Sequence, residues 1–135
     1  MRIRFGFALL SMVLLSASSA FALPPLPKYL AEAVKGKPEV KGFADAVEGL
    51  KSKCDVCHKP GADKKGKGHG LNDFGQAFHK HLDDKKFMAA DKAKDTAEAA
   101  KLFGAAWEKV VDDKNAAGAT FGSLIKEGKL PGKND

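Results

Sequence analysis

The residues best suited to chemistry in this 135-residue chain are Cys54, Cys57 and His58, in the run Cys54-Asp55-Val56-Cys57-His58. Two thiols three positions apart, followed at once by an imidazole, form the pattern used for covalent attachment of a c-type haem. Each thiol can add across one vinyl group of the porphyrin, giving two thioether links. A helical turn brings positions 54, 57 and 58 to one side of the chain, so the adjacent ring can rise beneath the iron as its fifth ligand. The pattern assigns one haem c, held covalently by Cys54 and Cys57 with His58 as the proximal iron ligand.

Three other chemistries use the same residue types. Cys54 and Cys57 are the only cysteines, so a structural disulfide is open to them in an exported chain. A thioredoxin-like redox pair needs a βαβ setting, and the flanks read as helical. A zinc site needs a second ligand pair, and His69, His79 and His81 do not reproduce a finger or ribbon spacing. The imidazole after the second thiol has no task in the first two.

The amino terminus fits a haem attached after export. Arg2 and Arg4 precede an apolar run from Phe5 to Leu15, and Ala20-Phe21-Ala22 offers an A-x-A cleavage site. Residues 1–22 read as a signal peptide removed from the mature chain. The run is shorter than the roughly 20 residues a membrane span requires, so no span is expected after cleavage. The expected compartment is the periplasm or its equivalent.

Residues 23–135 make at most one domain, and a porphyrin would supply much of its core, coupling folding to haem attachment. The formal net charge is +6, and the two arginines of the leader account for two of it. Lys51, Lys53, Lys59, Lys64, Lys65 and Lys67, against Asp55 and Asp63, carry all the excess that remains. Positive charge therefore brackets the Cys-Cys-His run. It suits docking of a redox partner protein with an acidic surface, although most charge runs are merely solvated connections.

The elements around the run read as helices. Residues 23–37 form an extended leader and a short helix: Pro24, Pro25 and Pro27 forbid helix up to 27, and 28–35 can make two turns. A domain over 38–135 follows. Its first helix runs from Pro38 to Lys53, with Val40, Phe43, Val47 and Leu50 stepping toward Cys54. Gly42 and Gly49 within it suggest close approach of another helix or the haem, or simply a less stable helix. Residues 59–70 are a glycine- and lysine-rich loop.

A second helix spans Leu71 to Leu82, capped by Asn72 or Asp73, with an apolar stripe of Leu71, Phe74, Phe78 and Leu82. Asp83 to Lys94 reads as a polar connection. Asp95 with Glu98 resembles a capping box that opens a helix to about Asp113, burying Ala99, Ala100, Phe103, Ala106, Trp107 and Val110. Thr120 caps a last helix ended by Gly128. Without an alternating strand pattern or a repeat, the fold class is all-α: a small helical domain around one covalently bound haem.

A helix leading into Cys54-x-x-Cys57-His58, a Gly/Lys loop, and a late helix carrying Phe103 and Trp107 resemble the small monohaem class I cytochromes c. Leu50 stands where that family has an aromatic. Asn72-Asp73-Phe74-Gly75 and Thr120-Phe121-Gly122-Ser123-Leu124-Ile125 resemble a monohaem branch known from planctomycete-type bacteria, one anammox member of which binds nitric oxide with His/Cys ligation. This chain lacks a third cysteine, so that ligand pair does not carry over.

The family's sixth ligand is a Met following a Pro-rich turn, and the only Met after residue 22 is Met88, without such a turn. His81, beside the apolar stripe, is the leading distal ligand of this reading and Met88 the alternative. His69, flexible among glycines, His79, which the same stripe turns toward solvent, and an open sixth position complete the set.

The resemblance implies an exported electron carrier that moves single electrons between redox partners, and not an enzyme. His79 and His81 cannot act as a catalytic pair, because alternate residues on a helix point apart. The alternative is haem-based binding of nitric oxide or another small gas, or weak peroxidase activity, at an open sixth position. A haem-free interaction domain closed by a Cys54–Cys57 disulfide is the third reading. Nucleic acid is excluded as a partner by the moderate charge, the absence of arginine after residue 4 and the export signal.

Overall fold

The computed structural model describes residues 25–62 and 70–132. The signal peptide expected at 1–22, and Lys64, Lys65, Lys67 and His69 of the loop, lie outside the described residues. Helix accounts for nearly all the regular structure: α1 (Leu26–Val34), α2 (Lys41–Glu48), α3 (Asp73–His81), α4 (Asp84–Lys92), α5 (Thr96–Val110) and α6 (Phe121–Lys126), with 3₁₀ turns at Pro38–Val40 and Lys53–Val56. Among the described residues the only β pairing is two isolated bridges, His58 with Leu71 and Lys114 with Thr120. The all-α expectation holds.

The longest helix, α5, is the element the others pack on. Asp95 accepts the Glu98 N–H at its start, as the capping signal requires, and Ala99, Phe103, Ala106 and Val110 form its buried face. Ala99 and Ala106 are fully buried and small, which leaves room for the aromatic rings on either side. Phe78 of α3 lies 5.0 Å from Phe103, Tyr29 of α1 lies 5.2 Å from Phe87 of α4, and Phe121 of α6 lies 5.4 Å from Phe74. With Tyr29 stacked 6.3 Å from Phe103, these contacts join five helices through one aromatic core.

Several boundaries differ from the sequence reading, each for a local reason. Leu26 and Pro27 are helical: α1 starts two residues earlier than expected because Pro27 lies in its first turn, where a missing N–H costs nothing. Tyr29, Leu30 and Val34 then enter the core, and the Tyr29 hydroxyl donates to Asp91 at 3.2 Å. The helix expected over 38–53 stops at Glu48. Lys53 Nζ folds back to the Val47 and Glu48 carbonyls, both at 2.8 Å, and satisfies groups that a helix end leaves open.

The stretch read as a polar connection is α4. Asp83 caps it by accepting the Lys86 N–H, but only Phe87 and Ala90 are buried, too few for a recognisable stripe. Ala100, expected inside, is exposed, since α5 is covered on one face only. Gly42 answers to close approach: a Cβ there would stand 3.1 Å from the Gly128 Cα in the turn after α6.

Candidate functional site

The Cys54–His58 run forms a tight turn. Cys57 and His58 both donate their N–H groups to the Cys54 carbonyl, at 3.1 and 3.0 Å, so one turn gathers the two sulfurs and the ring as expected. Both cysteines are free thiols, and His58 is buried.

The start of α3 clamps this turn in place. The Asn72 N–H donates to the Cys57 carbonyl at 2.9 Å and the Lys59 N–H to Gly70 at 2.7 Å. The Asn72 side chain acts twice: its oxygen caps α3 by accepting the Gly75 N–H at 2.9 Å, and its amide donates to the Val56 carbonyl at 2.9 Å. Gly75 passes so close to the Cys57 carbonyl that any Cβ would collide with it. Asp73 accepts the Ala116 N–H at 3.3 Å, tying the same end to the loop before α6. Each residue of Asn72-Asp73-Phe74-Gly75 thus has a position to hold, and Phe74 is the one that looks inward.

Above the turn opens a cavity of about 740 Å³, its mouth included. Cys54, Cys57 and His58 line one part of it, with Lys53 at the rim; Phe74, Phe78, Phe103 and Trp107 form an aromatic wall, and Leu26, Pro27 and Leu30 of α1 close another side. The imidazole of His79 also lines it. Its lining is the mostly apolar wall with few polar groups that small-molecule and cofactor sites share.

The distal candidates are placed very differently. His81 does not line the cavity; its Nε2 meets Asp113 Oδ2 at 2.7 Å, beyond the end of α5. Met88 packs against the core from α4 and does not line the cavity either. His79, which the stripe of α3 turned toward solvent, lies at the cavity, with its Nδ1 3.0 Å from Asp84 Oδ2. The periodicity of Leu71, Phe74, Phe78 and Leu82 marks the face buried on α5. Phe74 and Phe78 of that stripe line the cavity as well, and His79, the residue after Phe78, lines it at the stripe's edge.

The surroundings of Cys57 disfavour its thiolate. Desolvation pushes the Cys57 thiol up to about 12, and the neighbouring Cys54 adds to the shift. A thiol so placed stays protonated at neutral pH, unlike the activated thiolates of redox and metal-thiolate centres. Among the described residues no three His, Cys, Asp or Glu side chains converge as they would around a bare metal ion. Two sulfurs and one imidazole facing an aromatic cavity do fit a flat apolar group tethered at both sulfurs and ligated from the adjacent ring. Among the described residues no helix is long and apolar enough to cross a membrane. No protein-family profile, curated protein or solved structure matches this chain, so the site stands on its own geometry.

Proposed function

We propose that this chain is an exported monohaem c-type cytochrome, resembling the class I family, that transfers single electrons between redox partners. The observation that carries the reading is the convergence of Cys54, Cys57 and His58 on one aromatic-walled cavity. Cys54 and Cys57 would hold the haem through thioether links, each S–H adding across one vinyl double bond with no external oxidant or reductant, and His58 would ligate its iron. When bound, the haem supplies an iron that cycles between ferrous and ferric.

The protein's part is to hold and insulate that centre. Phe74, Phe78, Phe103 and Trp107 keep water from its faces, and burial of this kind is one lever on the reduction potential. Lys51 and Lys59 are exposed beside the attachment turn and suit docking of an acidic partner. Lys53 does not share that role, because its ammonium is committed to the end of α2.

Expression with the leader intact, in cells with a c-haem assembly pathway, tests the reading. The expected product is red, gives a pyridine haemochrome typical of two thioether links, and takes up and releases one electron reversibly. Colourless protein with both thiols unmodified would sink it.

A further inference from the structure

Resting on that haem reading, we propose that His79 is the second imidazole of the iron site and that Asp84 is the residue that positions it. His79 is the one described side chain besides His58 that brings an imidazole to the cavity wall. It lies on α3, whose start is bonded to the Cys54–His58 turn through Asn72, so one helix holds the turn and carries this ring.

Asp84 selects which nitrogen is offered. Its Oδ2 lies 3.0 Å from His79 Nδ1, and a carboxylate can only accept, so Nδ1 carries a proton and, in the neutral ring that a metal ion requires, Nε2 keeps its lone pair. Carboxylate–imidazole pairing of this kind fixes ring orientation and raises the basicity of a metal-ligating histidine. The other carboxylate oxygen, Oδ1, is buried without a hydrogen-bond partner, which leaves the ring as this carboxylate's main interaction on the protein side. Asp84 also opens α4, where the helix N-terminus favours its negative charge. The rival imidazole, His81, is turned to Asp113, and Met88 is packed away from the cavity.

The test uses the exported holoprotein in wild-type form and as His79→Ala, Asp84→Asn and His81→Ala. The haemochrome assay is read first; absence of attached haem from wild type overturns the parent reading and, with it, this one. Given attached haem, ferric wild type is expected to be low-spin, with the near-infrared charge-transfer band of two imidazoles. His79→Ala is expected to turn high-spin and to recover the low-spin spectrum on addition of imidazole. His81→Ala is expected to stay low-spin. Asp84→Asn should retain the ligand but hold it less firmly, so that carbon monoxide displaces it from the ferrous iron about 10–100-fold more readily.

A near-infrared band of imidazole–thioether ligation, a high-spin wild type, or a His79→Ala spectrum identical to wild type would each overturn the assignment while leaving the haem attachment intact. The wild-type band decides even where His79→Ala fails to accumulate. Carbon monoxide binding unchanged in Asp84→Asn would remove Asp84 from the proposal.

Discussion

The two ends of α3 are held by different means. At its start, Asn72 and Gly75 lock onto the Cys54–His58 turn through backbone groups: the Cys57 and Val56 carbonyls both accept from Asn72, and Gly75 admits no side chain. At its far end, His79 and His81 are each held by one carboxylate, Asp84 and Asp113, and no backbone group is shared. Backbone-to-backbone contact leaves no tolerance for a change of size. Carboxylate–imidazole pairs on half-exposed side chains can be exchanged, moved or broken at small cost. The fold therefore holds the Cys54–His58 turn rigidly and leaves His79 and His81 to side-chain contacts; on the haem proposal, the ligand opposite His58 could then be altered without unfolding the domain.

Substitution of Gly75 should give the largest effect. Gly75→Ala places a Cβ against the Cys57 carbonyl, and neither backbone can yield without breaking the Asn72 bonds. A loss of about 3 kcal/mol, the upper end of overpacking costs, is expected in urea unfolding of the holoprotein, with a lower yield of attached haem. Asn72→Ala comes next. It removes the cap on Gly75 and leaves the Val56 carbonyl short of a partner, so about 2 kcal/mol is expected from the same measurement. Neutral outcomes for both would show that the start of α3 is no more rigid than its end.

What the sequence disclosed follows the same division. The Cys54–His58 turn, the capping side chains Asn72, Asp95 and Thr120, and the buried stripe of α5 were legible because each depends on residues within a few positions of one another. α4 was not, since Phe87 and Ala90 alone are buried and a helix with so narrow an apolar face has little period to detect. The break after Glu48 was hidden because a lysine five residues on, not a local cap, closes the helix. His79 was read as turned toward solvent because it lies just off the stripe, and only tertiary packing shows that the cavity walled by Phe74 and Phe78 reaches past them to it.

A pH measurement sharpens the view of the attachment turn. Because the Cys57 thiol is raised to about 12 by its surroundings, the folded state favours its protonated form. Its contribution to stability is therefore complete below the ordinary thiol range and is lost as pH rises from that range through about 12. In protein prepared without haem attachment, alkylation at Cys57 should be slow at neutral pH and quicken roughly tenfold per pH unit up to that value. Rapid alkylation at neutral pH would mean that the aromatic cavity does not keep its shape before the sulfurs are capped.

The smallest effect is expected at His81, and it separates the ends of α3 most cleanly. Its Nε2 lies 2.7 Å from Asp113 Oδ2, with side chains 19% and 32% exposed, so the pair is partly screened by water. Partly exposed ion pairs contribute at most about 1 kcal/mol, and His81→Gln can still donate a hydrogen bond to the carboxylate. The thermal midpoint should fall by only a few degrees. More decisively, the absorption spectrum of the attached haem should not move, because the ring stands outside the cavity. If His81→Gln did change the spin state, His81 would have to leave Asp113 to reach the iron, and the assignment of His79 as the second imidazole would fall with it.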